Sequence, residues 1–261
     1  QEPQFLEVGQ GPKRRRLAYR WDDPGADGSG LALLWLSGFL SDMASTKAQT
    51  LANWASGRGH AMLRFDYSGH GQSPGNLLEA SIGDWLEEST AMLRLLEGRR
   101  VILVGSSMGG WIALLLARAL AKTGDTRLAG LVLIAPAWDM TEELMWKQFP
   151  EAARRELEAN GVYLQPSEYD EPYAITKALI EDGRQHLIGN DPFDPGRPVV
   201  ILQGVQDEAV PVAHARALLG LLKGDWTNMV EIPDGEHRLS RPQDLALLFA
   251  TLKELAERTS A

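Results

Sequence analysis

Short, β-rich apolar runs alternate with longer amphipathic stretches along most of this chain. The runs Leu31–Leu36, Ala61–Phe65, Val101–Val104, Leu131–Ala135, Val199–Gln203 and Met229–Ile232 predict strands, most of them buried on both faces. A further strand is predicted at Leu17–Trp21. Between the runs, apolar positions recur at helical spacing and predict helices at Lys47–Ser56, Ile82–Leu96, Met108–Ala121, Val212–Leu222 and Gln243–Arg258. Gly124 and Asp125 supply a stop after the third of these. Such alternation predicts an α/β fold: a doubly wound, mostly parallel sheet covered by helices on both faces.

The alternation lapses between Ala135 and Val199, a stretch too long for an ordinary βα connection. It holds a helical pattern at Thr141–Asn160, aromatic residues from Tyr163 to Tyr173, a second helical pattern at Ala174–Ile188 and a proline-rich linker from Asp191 to Pro198. We read residues 140–196 as a lid inserted into a core made of residues 1–139 and 197–261. Its expected place is over the carboxyl ends of the strands, where open α/β sheets bind ligands.

Composition narrows the chemistry. A formal charge of −9 disfavours a nucleic-acid partner. The one basic run, Lys13-Arg14-Arg15-Arg16, reads as a solvated turn before the first strand. With no cysteine in the chain, disulfides, thiolate metal sites and cysteine nucleophiles are excluded, and no metal or other cofactor is expected. No apolar stretch approaches the roughly 20 residues that span a bilayer. The chain opens on Gln1 and not on methionine, as it would if a targeting segment or tag had been removed. The expected location is the cytoplasm.

The sharpest signal is Gly105-Ser106-Ser107-Met108-Gly109, a G-x-S-x-G motif lying between a strand-like and a helix-like segment. A serine nucleophile on a strained strand-to-helix turn needs small flanking residues, and only Ser107, not Ser106, has glycine on both sides at two residues' distance. Its hydroxyl needs an imidazole as base and a carboxylate to orient that base. His60 and His70 precede the serine, His186 falls in the insertion, and His214 reads as a surface residue early in a helix. His237, in the loop Pro233–Arg238 after the last strand, remains. Asp207 follows the strand Val199–Gln203 and is the expected orienting acid, with Asp139, after the preceding strand, as its rival. The amides of Met108 and Phe39 are the expected oxyanion hole, with Gly38 freeing the chain to turn.

Three blocks then carry a resemblance over nearly the whole length: Gly105–Gly110, Gln203–Pro211 and Phe65–Ser73, the last similar to a D-x-x-G-x-G-x-S turn. The chain resembles the α/β-hydrolase superfamily. More narrowly, Ser37–Thr46, Arg64–Asn76 and Val104–Trp111 resemble the acyl-protein thioesterases and acyl-glucuronide esterases of the abhydrolase-domain-10 type and their bacterial relatives. The resemblance implies cofactor-free hydrolysis of acyl esters or thioesters by the Ser107–His237–Asp207 set, and a structural role for the Phe65–Ser73 turn. Ser37 stands where many members have histidine.

The expected substrate is therefore a small-molecule or lipid-acylated ester or thioester, including an S-acylated protein. Leu40, Trp138, Met140 and Trp146 are the expected lining of an acyl slot, with Leu144, Met145, Phe149, Tyr163, Tyr169 and Tyr173 as further apolar candidates. Two other readings stay open: a catalytically silent binding protein, and the same fold performing lyase, haloperoxidase or C–C hydrolase chemistry.

Overall fold

The computed structural model describes residues 2–25, 28–166, 172–224 and 226–259. One rule organises the sheet: side chains alternate across a pleated strand, so a strand buried on both faces feeds two separate cores. In β3 (Leu31–Leu36), Ala32, Leu34 and Leu36 enter one apolar cluster while Leu31, Leu33 and Trp35 enter the other. The next-neighbour strand β5 (Arg100–Ser106) divides likewise, Val101 and Leu103 against Ile102 and Val104. Full burial of one such side chain contributes about 1.5–3 kcal/mol.

Among the described residues the main sheet has eight strands, in the order β1-β2-β4-β3-β5-β6-β9-β10. β1 (Gln4–Val8) and β2 (Arg15–Asp22) form an antiparallel edge, and β2 runs antiparallel to β4 (Ala61–Phe65). From β4 through β3, β5, β6 (Leu128–Ile134), β9 (Val199–Gly204) and β10 (Thr227–Ile232) the pairing is parallel. Helices α1 (Thr46–Ser56) and α7 (Pro242–Arg258) cover one face, while α2 (Ile82–Arg94), α3 (Met108–Thr123) and α6 (Val212–Leu221) cover the other. α3 is buried from Met108 through Ala117, which is why its sequence is apolar all round.

Between β6 and β9 the chain is less helical than its pattern predicts. Thr141–Asn160 is divided: a π-helical turn spans Thr141–Trp146, and α4 (Glu151–Asn160) begins only after Pro150, whose ring excludes it from a helix interior. The predicted helix Ala174–Ile188 begins as strand. Tyr173–Thr176 forms β8, paired antiparallel with β7 (Val162–Gln165), and α5 (Lys177–Gly183) starts where the Thr176 hydroxyl accepts from the Leu179 amide at 3.0 Å.

The basic run is not merely solvated. Arg15 meets Asp84 at 3.0 Å and Glu88 at 2.8 Å and also pairs with Glu87, tying β2 to α2. Glu88 is fully buried, and burial raises its pKa to about 7 despite hydrogen bonds from the Ser68 hydroxyl and amide. The Phe65–Ser73 turn is similarly tied in. Asp66 accepts from the Met43 amide at 2.7 Å and the Gln72 amide at 2.8 Å, and the Ser73 hydroxyl joins Ala18 to the Asp66 carbonyl. These bonds hold the loop after β3 in place.

Candidate active site

Ser107 stands at the tight turn between β5 and α3 with φ 55° and ψ −120°, a conformation that costs a non-glycine residue of order 1–3 kcal/mol. The glycines around it are required by space. A Cβ on Gly105 would lie 2.2 Å from the Gly109 carbonyl oxygen, and one on Gly109 would lie 1.9 Å from the Leu36 carbonyl oxygen. The strand, the turn and the following helix therefore close upon one another with hydrogen as the largest tolerated substituent.

Two long-range contacts complete a chain of hydrogen bonds. His237 Nε2 lies 3.1 Å from Ser107 Oγ, and His237 Nδ1 lies 2.8 Å from Asp207 Oδ2. Asp207 is itself held: Oδ1 accepts from the Ala209 amide at 2.9 Å and the Val210 amide at 2.8 Å, and Gln203 Nε2 stands 3.3 Å from Oδ2. Since a carboxylate only accepts, Nδ1 carries the proton toward Asp207, and the neutral ring then turns the lone pair of Nε2 to the serine hydroxyl.

Asp139 lies elsewhere. Only 1 % exposed, it accepts from the amides of Ile188 at 2.7 Å and Gly189 at 2.8 Å, so its carboxylate closes the two ends of the segment between β6 and β9. Burial raises its pKa, against the lowering effect of those two amides. Asp139→Ala orphans both donors and is expected to cost about 2–4 kcal/mol in chemical denaturation. kcat toward a soluble ester should change less than about threefold; a loss of tenfold or more without destabilisation would reinstate it as the orienting acid.

The loop after β3 packs directly on the serine. Gly38 is needed there for proximity, not for a left-handed backbone: a Cβ would sit 3.2 Å from Ser107 Cβ, whereas the left-handed residue of this loop is Leu40, at φ 59°. Ser37 is buried and accepts from the Trp35 indole at 2.9 Å, which fixes the start of the loop. The Phe39 amide follows directly and the Met108 amide begins α3; among the described residues neither donates to another group.

Ser107 opens into a cleft of about 830 Å³. Its lining is mixed: Leu40, Leu77, Pro172, Tyr173 and Ala174 are apolar, whereas Ser41, Ser45, Thr46, Lys47, Arg238 and Ser240 are polar, Arg238 and Ser240 belonging to the loop of His237. Of the four expected acyl-slot residues only Leu40, 41 % exposed, lines this cleft. Trp138 donates through its indole to the His214 carbonyl at 2.9 Å and stacks on that ring at 4.8 Å, so His214 is packed and not a surface residue. Met140 is buried in the larger core, and Trp146 faces outward beneath the guanidiniums of Arg154 and Arg184. Ala135 and Asp139 on either side of Trp138 are left-handed, at φ 45° and 49°, and the indole between them packs against α6. Phe149 and Tyr163 pack edge to face with each other; Tyr173 reaches the cleft; Tyr169 lies outside the described residues.

Leu77, Pro172, Ala174 and Lys47 line the cleft without a sequence signal that marks them as site residues, whereas Tyr173 is among the apolar candidates. Among the described residues no group of three or more potential metal ligands occurs, and no helix is long and apolar enough to cross a membrane.

Comparison with known proteins agrees with this fold. The sequence profile of the family described as serine aminopeptidase, S33, matches residues 32–181. The palmitoyl-protein thioesterase ABHD10, mitochondrial, of Bos taurus is 31 % identical over 237 residues, covering 89 % of this chain and 75 % of that protein. A protein from Agrobacterium vitis S4 described as a hydrolase superposes with a TM-score of 0.93 at 41 % identity, covering 98 % of each chain. Mouse alpha/beta hydrolase domain-containing protein 10 does so with a TM-score of 0.84 at 27 % identity, covering 98 % of this chain and 99 % of the other.

Proposed function

This chain belongs to the α/β-hydrolase family described as serine aminopeptidase, S33, and from that premise we propose that it hydrolyses carboxylic esters or thioesters through an acyl-enzyme on Ser107. The observation that carries the reading is the continuous contact from Ser107 Oγ through His237 to Asp207 at the floor of an open cleft. His237 Nε2 takes the hydroxyl proton as Oγ attacks the carbonyl carbon, and Asp207 holds the ring in the required tautomer. The Phe39 and Met108 amides receive the developing oxyanion, aided by the positive end of α3. His237 then gives its proton to the departing alcohol or thiol, and the same ring activates water to release the acid.

The mixed lining orients the substrate. The leaving group departs toward His237, whose loop contributes the polar Arg238 and Ser240, so the acyl chain lies against Leu40, Leu77 and Tyr173. Residues 140–196 act in this reading as the lid, with the β7–β8 hairpin contributing Tyr173 and Ala174 to the acyl side. Ester or thioester is favoured over an aminoacyl substrate because the described lining holds Lys47 and Arg238 and no carboxylate to receive a free α-ammonium. A palmitoyl-type acyl thioester, as acted on by the relatives named ABHD10, is the substrate class proposed, with a cytoplasmic location, although those relatives are named as mitochondrial.

A fluorophosphonate probe tests the first step: labelling should depend on Ser107, and its absence in the wild-type protein would favour a silent binding protein. The acyl side is tested by p-nitrophenyl esters from acetate to octanoate beside palmitoyl-thioester peptides and aminoacyl p-nitroanilides. Each methylene taken up by an apolar wall contributes about 0.8 kcal/mol, or roughly fourfold in kcat/KM. A peak at acetate, or preference for the anilides, would overturn the substrate assignment.

A further inference from the structure

Lys47 lies in the first turn of α1, where a cation opposes the positive end of the helix dipole, and that turn holds no acidic residue. Its ammonium reaches the loop that carries His237. Nζ donates to the carbonyl of Arg238 and stands 3.4 Å from the Ser240 hydroxyl, so α1 grips the residues directly after His237. That loop needs a grip. Leu239, only 4 % exposed, is held in a left-handed conformation at φ 43°, which strains a branched residue. Around it, Arg241 joins Asp244 at 2.9 Å and Asp234 at 2.8 Å, tying the start of α7 to the beginning of the loop, and the Ser240 hydroxyl donates to the Arg238 carbonyl at 3.0 Å; Lys47 adds a contact that reaches this loop from α1.

Resting on the hydrolase reading above, we infer that Lys47 is a positioning residue: by clamping the Arg238 carbonyl and the Ser240 hydroxyl it keeps the His237 ring against Ser107. The consequence is a dependence of turnover on the protonation of a side chain that never touches the reacting atoms.

The groups facing the ammonium set its titration. Burial is the largest effect and lowers its pKa, Arg238 of the same loop lowers it further, and Asp244 of α7 opposes them; the result is about 8. Loss of the proton leaves a neutral amine, a weaker donor to the Arg238 carbonyl. The stability effect has the opposite sign. Between pH 8 and the ordinary lysine value the unfolded chain binds more protons than the folded one, so this group's contribution to folding stability increases with pH. A fall in turnover across that window is therefore a local effect at the loop.

The test uses the intact protein with p-nitrophenyl butyrate, comparing wild type, Lys47→Met and Lys47→Arg. Misplacing a catalytic group by a fraction of an ångström to one ångström costs up to about a hundredfold. Lys47→Met should lower kcat by about 10- to 100-fold with KM within about twofold. Wild-type kcat should decline above about pH 8, as the Lys47 proton is lost. In Lys47→Arg, whose guanidinium stays charged, kcat should remain within about threefold of wild type and that decline should vanish. An unchanged kcat in Lys47→Met, a change confined to KM, or the same alkaline decline in Lys47→Arg overturns the inference; the last readout stands even where Lys47→Met does not fold. Absence of Ser107-dependent fluorophosphonate labelling in the wild type would instead overturn the hydrolase reading, and this inference with it.

Discussion

Ser107→Ala and His237→Ala should each lower kcat by about 10⁴-fold or more, and the double variant should be little worse than either single one, because residues that act as a unit lose their effect together. The geometry gives the reason. Ser107 Oγ has one imidazole nitrogen within reach, at 3.1 Å, and the residual rate would come from binding and from the two amides that face the oxyanion. Asp207→Asn belongs to the same experiment. An asparagine there would keep its carbonyl on the Ala209 and Val210 amides and turn its NH₂ toward His237 Nδ1. The ring would then carry its proton on Nε2, pointing at the serine it should deprotonate, for a loss of about 10³- to 10⁴-fold. Steady-state kinetics on a p-nitrophenyl ester, with thermal unfolding as the fold control, decides it. Retention of more than a tenth of kcat in His237→Ala would remove the imidazole from the mechanism.

A single methyl group should be even more disruptive at Gly109. Its Cβ would sit 1.9 Å from the Leu36 carbonyl oxygen and 2.7 Å from that of Ser37, both backbone atoms that cannot swing aside. Relief requires α3 to move away from β3, through a region buried on every side. We expect Gly109→Ala to cost more than about 4 kcal/mol, the range reserved for overpacking and backbone strain, and to be recovered mainly as insoluble protein. Urea unfolding of any soluble fraction measures it. A midpoint close to that of the wild type would show that the turn is looser than described.

Much of this arrangement was legible in the chain because it is local. The buried strands announce themselves as apolar runs, and β3 and β4 have the bounds their pattern predicts. The serine turn is a five-residue pattern flanked by its own strand and helix. What escaped prediction is either exposed or distant. β1 is mostly exposed and carries no apolar alternation. Tyr173-Ala174-Ile175-Thr176 merges in sequence with the helix after it, although Thr176 is a helix-capping residue, and Pro150 was a visible break in the run read as one helix. At the site, choosing between Asp207 and Asp139 needed coordinates, since both follow neighbouring parallel strands. Trp138, Met140 and Trp146 have the apolar character of an acyl slot, but packing against α6 and the core accounts for it at Trp138 and Met140, and the Arg154 and Arg184 guanidiniums over its ring account for it at Trp146. Lys47 had one faint signature, a cation at the wrong end of a helix dipole; its partners are 191 and 193 residues away.

The carboxylate of Asp139, by receiving both Ile188 and Gly189, draws the two ends of the intervening segment together. Leu157, Ile175, Leu179 and Ile180 of that segment enter the larger apolar cluster, so its packing face is bound to the core while its exposed positions are free to vary. Composition can drift at those positions, and with it the rim of the entrance above Ser107, while the strand ends beneath stay in register.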